Sequence, residues 1–332
     1  MKRTVTALLT LLAAGVPAAC GGGDDADLTV YSGRNEKLVG SLIERFERSS
    51  GLDVEVRYGD SAELAATIAE EGDNTPADVF FSQDAGSLGA TEGQLAPLPQ
   101  ADLRAVAERF RDPTGRWVGT SARARTVAFD KRELGAAELP DSILDFTGSE
   151  WKGRIGLPPT NASFQAFVSA MRLEIGDERT REWLDGIKRN DPKLYENNIQ
   201  TVEAIDRGAV DVGFVNHYYV FELRREQPDL AVENHFLRRG DPGSLVNAAG
   251  AGVLEASDDR AAAERFVRFL LSREAQEYFR DETFEYPIAA GVSAPRGLPP
   301  LRGLAGPDIR LDDLGRELRP TLDMINEAGL VK

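Results

Sequence analysis

Two adjacent phenols, Tyr218 and Tyr219, close a segment, 211–219, in which an apolar run ends at the polar step Asn216-His217. Successive side chains of a strand point to opposite faces, so neighbouring phenols can share one target only if the strand has ended before them. A strand end is also where open α/β folds place their ligands. Phenolates are hard oxygen donors, and the natural shared target of two is a highly charged cation. The competing reading is a pair of ordinary tyrosines with buried rings and hydroxyls at the rim. A Tyr-Tyr pair alone does not separate the two.

Other reactive residue types supply less. His217 and His235 are the only histidines, too isolated for a His-based zinc site. His217 is a candidate ligand or support beside the tyrosines; His235 reads as structural or exposed. Cys20 is the only cysteine, which excludes an internal disulfide or a multi-cysteine metal site. No G-x-S-x-G elbow or Cys/His pair gives hydrolysis a foothold. Asp258-Asp259 and Asp312-Asp313 lack the EF-hand pattern, and no glycine-rich phosphate loop follows a strand. A carrier, not an enzyme, is expected. Arg123 and Arg125 alternate in a strand-like stretch, 117–130, which places both guanidinium groups on one side. The turn 158–163 runs Pro158-Pro159-Thr160-Asn161-Ala162-Ser163 into a helix, whose first N–H groups are free for an anion.

The elements that must position these groups alternate. Residues 27–31, 52–57 and 77–82 read as strands, and 36–50 and 60–72 as helices. That order, β-α-β-α-β, implies a parallel sheet with right-handed crossovers. Further helices are expected at 164–175, 180–189, 201–207, 260–271, 274–280 and 320–328. Strands are expected at 154–157 and 210–215, and the segment 245–254 carries a core of small residues, 248–252.

The chain has 332 residues, 42% hydrophobic and 28% charged, enough for two lobes. Its formal charge of −16 argues against nucleic acid or an anionic membrane surface as partner. The start is a targeting segment: Lys2 and Arg3, an apolar run 5–16 too short to span a bilayer, then small residues up to Cys20. We read 1–19 as a signal peptide and 20–26 as a flexible tether. Cys20 follows small residues as in a bacterial lipoprotein processing site, with Pro17 as a departure from that pattern. The expected product is an exported lipoprotein, touching membrane only through its lipid anchor.

The chain resembles the ferric-ion-binding proteins of bacterial ABC importers. The matching pieces follow the family's order: Leu28-Thr-Val-Tyr31-Ser-Gly33, Pro76-Ala-Asp-Val-Phe80, Arg123 with Arg125, and Trp151-Lys-Gly-Arg-Ile-Gly156. Pro159-Thr-Asn-Ala162, Asn216-His-Tyr-Tyr219, Arg239-Gly-Asp-Pro-Gly243 and Glu285-Tyr-Pro287 complete the set. The resemblance implies a two-lobed type II periplasmic-binding-protein fold, α/β in class, with a hinge and a ligand cleft that closes on its ligand. We place one lobe at 27–121 plus 248–302 and the other at 122–247 plus 303–332. It further implies a monomer that delivers its cargo to a membrane permease with a cytoplasmic ATPase.

By the same resemblance, the family's paired tyrosine ligands fall on Tyr218 and Tyr219. Its anion-binding turn falls on Asn161, Ala162 and Ser163, with Asn198 and Asn216 nearby and Arg123 and Arg125 able to pair with the anion. Where many members carry a histidine and a glutamate ligand, this chain has Asn35 and Gln83. Neutral amides are poor ligands for a trivalent cation. Three readings stay open: Fe(III) with a carbonate, phosphate or citrate anion, a ferric chelate with its own organic ligand, or a small non-iron anion held by the arginines.

Overall fold

The computed structural model describes residues 26–304 and 306–331. The proposed signal peptide, Cys20 and all but the last residue of the tether lie outside them. The chain opens with β1 (Leu28–Ser32), α1 (Glu36–Ser50), β2 (Val54–Tyr58), α2 (Ser61–Glu71), β3 (Val79–Ser82), α3 (Ala85–Ala90) and α4 (Gln100–Leu103). The long strand β4 (Val118–Asp130) then leads to β5 (Ile155–Leu157), α5 (Ala162–Ile175), α6 (Asp177–Arg189), β6 (Lys193–Leu194) and α7 (Asn198–Asp206). β7 (Val212–Asn216), α8 (Tyr218–Glu226), β8 (Val232–His235) and β9 (Val246–Val253) follow. Last come α9 (Arg260–Leu270), α10 (Arg273–Asp281), β10 (Tyr286–Pro287) and α11 (Asp313–Glu327).

Local chemistry sets the elements near the cleft. Asn35 caps α1 by accepting from Lys37 N at 2.8 Å, and Val39, Leu42, Ile43 and Phe46 form its buried stripe. Gly51 closes that helix at φ 76°, a left-handed position suited to glycine. Asp60 caps α2, Asp84 caps α3 and Asn161 caps α5.

β1 pairs in parallel with β2 and β3, and the main path runs β2-β1-β3-β9-β4-β7-β5-β6. The sheet is mixed, because β9 is antiparallel to β3 and β4 is antiparallel to β9 and β7. β4 is the crossover. Up to Ala124 it pairs with β9, and from Arg125 onward with β7. β4 and β9 therefore connect the two halves of the molecule, each with its own aromatic packing. Phe46, Phe266 and Phe269 cluster in one half, and Phe146, Trp151, Phe214, Trp183 and Phe167 in the other.

Two of the departures from the sequence reading concern α8 and α11. α8 was not expected, since Tyr218-Tyr219-Val220-Phe221 carries β-prone residue types. α11 begins at Asp313 instead of 320, with Pro320 inside it. Pro320 is exposed, while Leu314, Thr321, Met324 and Ile325 bury one face, so packing outweighs the lost backbone bond. α11 touches both halves. Its Arg172 and Ser169 contacts reach α5, and Gly315 lies so close to α3 that a Cβ there would meet Gly86 O at 2.3 Å.

Candidate metal centre

β7 is held between β4 and β5 and stops at Asn216. The next residue fixes the exit. His217 N donates to Ala124 O at 3.0 Å, and Ala124 N donates back to His217 Nδ1 at 3.1 Å. Nε2 of the same ring donates to Phe284 O at 2.9 Å, a role set by Nδ1 being the acceptor. His217 is fully buried, and burial pushes its pKa down from 6.5 to about 4. As a candidate ligand it is corrected: both ring nitrogens are bound to backbone, and the ring pins the tyrosine helix to the crossover strand.

α8 then starts with both phenols in its first turn. Their ring centroids are 4.2 Å apart, with planes tilted by 34°. Tyr218 is 2% exposed and Tyr219 is partly exposed, and both line a cavity of about 310 Å³ between the two halves. Burial raises the Tyr218 pKa, and burial followed by the neighbouring Tyr218 raises that of Tyr219 well above 10.0. Without a cation both groups keep their protons at neutral pH. A hard trivalent ion is the kind of partner that displaces them. No group of three His, Cys, Asp or Glu that could hold a metal occurs among the described residues.

The remaining sequence candidates divide into wall and support. Asn35, Gln83, Arg123, Asn161, Ala162, Ser163 and Asn216 line the same cavity as the tyrosines. Gln83 Nε2 donates to Tyr218 OH at 3.4 Å, while its carbonyl accepts from Arg123 Nη2. The Asn35 amide oxygen is already committed to the cap of α1. Arg123 Nη1 and Asn216 Nδ2, in side chains 3% and 4% exposed, make no hydrogen bond and belong to wall residues of the cavity. Asn216 Nδ2 is a buried donor with no partner, and such a donor is a cost unless an acceptor enters. Arg123 Nη1 has only the Glu285 carboxylate, 3.9 Å away.

Arg125 and Asn198 stand behind this wall, a correction to their reading as direct anion contacts. Strand alternation set both arginines on one side, but β4 changes partners between them. Arg125 Nη1 donates to Ser163 Oγ at 3.1 Å and Asn198 Oδ1 at 3.3 Å, and its Nη2 donates to Phe214 O. Ser163 Oγ in turn donates to Asn161 Oδ1 at 2.6 Å, and Asn198 Nδ2 donates to both. The guanidinium thus holds the capping turn of α5 from beneath, packed on Phe164 and Phe167. It has no carboxylate partner among the described residues, and burial lowers its pKa to about 9 against the opposing pull of the two tyrosines.

One support was missed by sequence reading. Arg34 grips Glu285 through Nη1 at 3.0 Å and Nη2 at 2.5 Å, both side chains buried. Arg123 Nη1 lies 3.9 Å from the same carboxylate. Burial pushes Glu285 up, but Arg34 and Arg123 outweigh it and hold the carboxyl below its usual range. The partners are 251 positions apart, so spacing offered no signal, although Glu285-Tyr286-Pro287 stood out as a motif.

Two α/β lobes, two connecting strands and a polar cleft between them define a type II periplasmic solute-binding protein. The chain belongs to the family of bacterial extracellular solute-binding proteins, which it matches over residues 73–301. It is similar to the Fe(3+)-binding periplasmic protein of Serratia marcescens, 32% identical over 97% of this chain and 95% of that one. It is likewise similar to iron-bound HitA from Pseudomonas aeruginosa, at 33% identity and a TM-score of 0.85, covering 91% of this chain and 99% of that one. IdiA (FutA) from Trichodesmium, solved in complex with iron and citrate ligands, aligns at 28% identity and a TM-score of 0.79, with coverage of 91% and 99%. All three relatives are iron-binding or iron-bound proteins.

Proposed function

We propose that this protein captures Fe(III) outside the cytoplasm as cargo and presents it to an ABC permease and its ATPase. Tyr218 and Tyr219 supply the two anionic protein ligands. A synergistic anion, carbonate, phosphate or citrate, completes the shell against Arg123, Asn216 and the Asn161–Ser163 turn. The observation that carries this reading is the placement of two adjacent phenols, ring centroids 4.2 Å apart, in one cavity with Arg123 and with Asn216, whose buried Nδ2 makes no hydrogen bond. Phenols suit the metal, and the donors suit an anion bound with it. The iron-binding relatives and the citrate complex support the same assignment. Asn35 and Gln83 add no charge, so two tyrosinates leave Fe(III) one positive charge for the anion to balance.

The proposal places one lobe at 27–121 plus 248–302 and the other at 122–247 plus 303–332, so that the chain crosses between them within β4 and β9. A signal peptide, lipidation at Cys20 and a monomeric state complete the proposal. Titrating metal-free protein with Fe(III) and each anion in turn tests it. A visible tyrosinate-to-iron charge-transfer band is expected with at least one anion. No band with carbonate, phosphate or citrate contradicts it.

A further inference from the structure

The cleft does not end at the tyrosines. A second, larger chamber of about 580 Å³ opens from the 310 Å³ cavity, and the two share wall residues that include Gly33, Gln83, Thr160 and Ala162. Its walls come from four helices: Ala62, Ala66 and Ala69 of α2, Ala166 of α5, Leu314 and Leu318 of α11, and Gly86, Ser87 and Ala90 of α3. The two ends differ in chemistry. The tyrosine end has the Arg123 guanidinium and Asn216 Nδ2, a buried donor without a partner. Among the described residues the chamber wall carries no Lys or Arg, and the carboxylates Asp60 and Asp84 stand where the two spaces join. A polyanion reaching into the chamber would therefore meet like charge and no counter-ion. An uncharged apolar group would meet alanine and leucine.

We propose that the cleft accepts Fe(III) in complex with an organic chelator whose hard oxygen donors lie at the tyrosine end and whose uncharged, apolar body fills this chamber. The inference rests on the ferric reading of Tyr218 and Tyr219 and adds the class of ligand that travels with the metal. A catecholamide has the required form: two hard oxygens at one end and a substituent of chosen length at the other. The small inorganic anions leave the chamber empty of anything but solvent.

The test compares ferric complexes of a plain catecholamide and its N-butyl derivative by titration calorimetry on the full chain. The butyl complex is expected to bind at least about tenfold more tightly, as burial of four methylene-sized groups predicts. Ala66→Trp, on an exposed face of α2, fills the chamber. It is expected to abolish that preference while Fe(III) loading with carbonate stays within about twofold. Equal affinity for the two complexes, or a preference that survives Ala66→Trp, overturns the inference while leaving the ferric reading in place. No tyrosinate-to-iron band with carbonate, phosphate or citrate as the iron-loading anion overturns both.

Discussion

A phenol is a poor anion in water and a good one on a trivalent cation. Tyr218 and Tyr219 sit where burial makes the free anion still poorer, so an ion bound by both would have to expel their protons. Among the described residues, Arg123 is the cationic side chain lining the tyrosine cavity, and so the residue best placed to meet a co-bound anion. Arg123→Ala is expected to weaken anion-dependent iron binding by roughly 10- to 100-fold, the worth of a charge-assisted hydrogen bond, and to change which anions support it. Equal titrations of variant and wild type with carbonate, phosphate and citrate would remove this arginine from the site. His217 makes a different prediction. Its folded pKa of about 4 lies below the ordinary 6.5, so only the unfolded chain takes up a proton between those values. Metal-free protein should thus be fully stabilised by this group above pH 6.5 and lose about 3 kcal/mol as pH falls to about 4. Urea denaturation across that range checks it, and a His217→Asn variant should show a flatter profile. The tyrosines, the turn and Arg123 were legible in the sequence because each is a local signal. The backbone clamp on His217 and the Arg34–Glu285 pair were not, because their partners come from distant segments.

The tyrosine pair works as a unit because of a junction, not a strand. β7 ends at Asn216, α8 begins at Tyr218, and the backbone turns at His217 against Ala124. The requirement that the strand stop was readable; the helix that follows was not, since its first four residues favour extended structure in isolation. The same limit applies to α11, where Pro320 looked like a beginning and tertiary packing carried the helix back to Asp313. That packing has a narrow tolerance. Gly315 of α11 and Gly86 of α3 approach so closely that a Cβ at 315 would sit 2.3 Å from a backbone oxygen. Gly315→Ala, normally favourable in a helix, is expected to destabilise the fold by about 1–3 kcal/mol by overpacking. Thermal unfolding reads this directly, and an unchanged or raised Tm would show that α11 can shift away from α3 freely.

At the scale of the molecule, fold class and the two-lobe plan were legible from the order of strands and helices and the family's ordered motifs. What could not be read was how elements from both halves converge on the cleft. α8, which carries the tyrosines, reaches α1 through Lys37–Glu226 at 3.0 Å and α10 through Arg225–Glu282 at 3.1 Å. β4 brings Arg123 to one side of its change of partners and Arg125 to the other. α11 packs on both α3 and α5 and closes the chamber beside the site. Such an arrangement places every group that would touch the cargo on an element shared by, or bridged between, the two lobes. The central claim is that Tyr218 and Tyr219 are the iron ligands of this cleft. The most direct measurement is the iron content and visible spectrum of the Tyr218→Phe, Tyr219→Phe and doubly substituted proteins after loading with Fe(III) and anion. Each single variant is expected to lose affinity by at least about 100-fold, and the double variant its charge-transfer band and its bound iron. Retention of stoichiometric iron by the double variant would contradict the account and place the metal elsewhere.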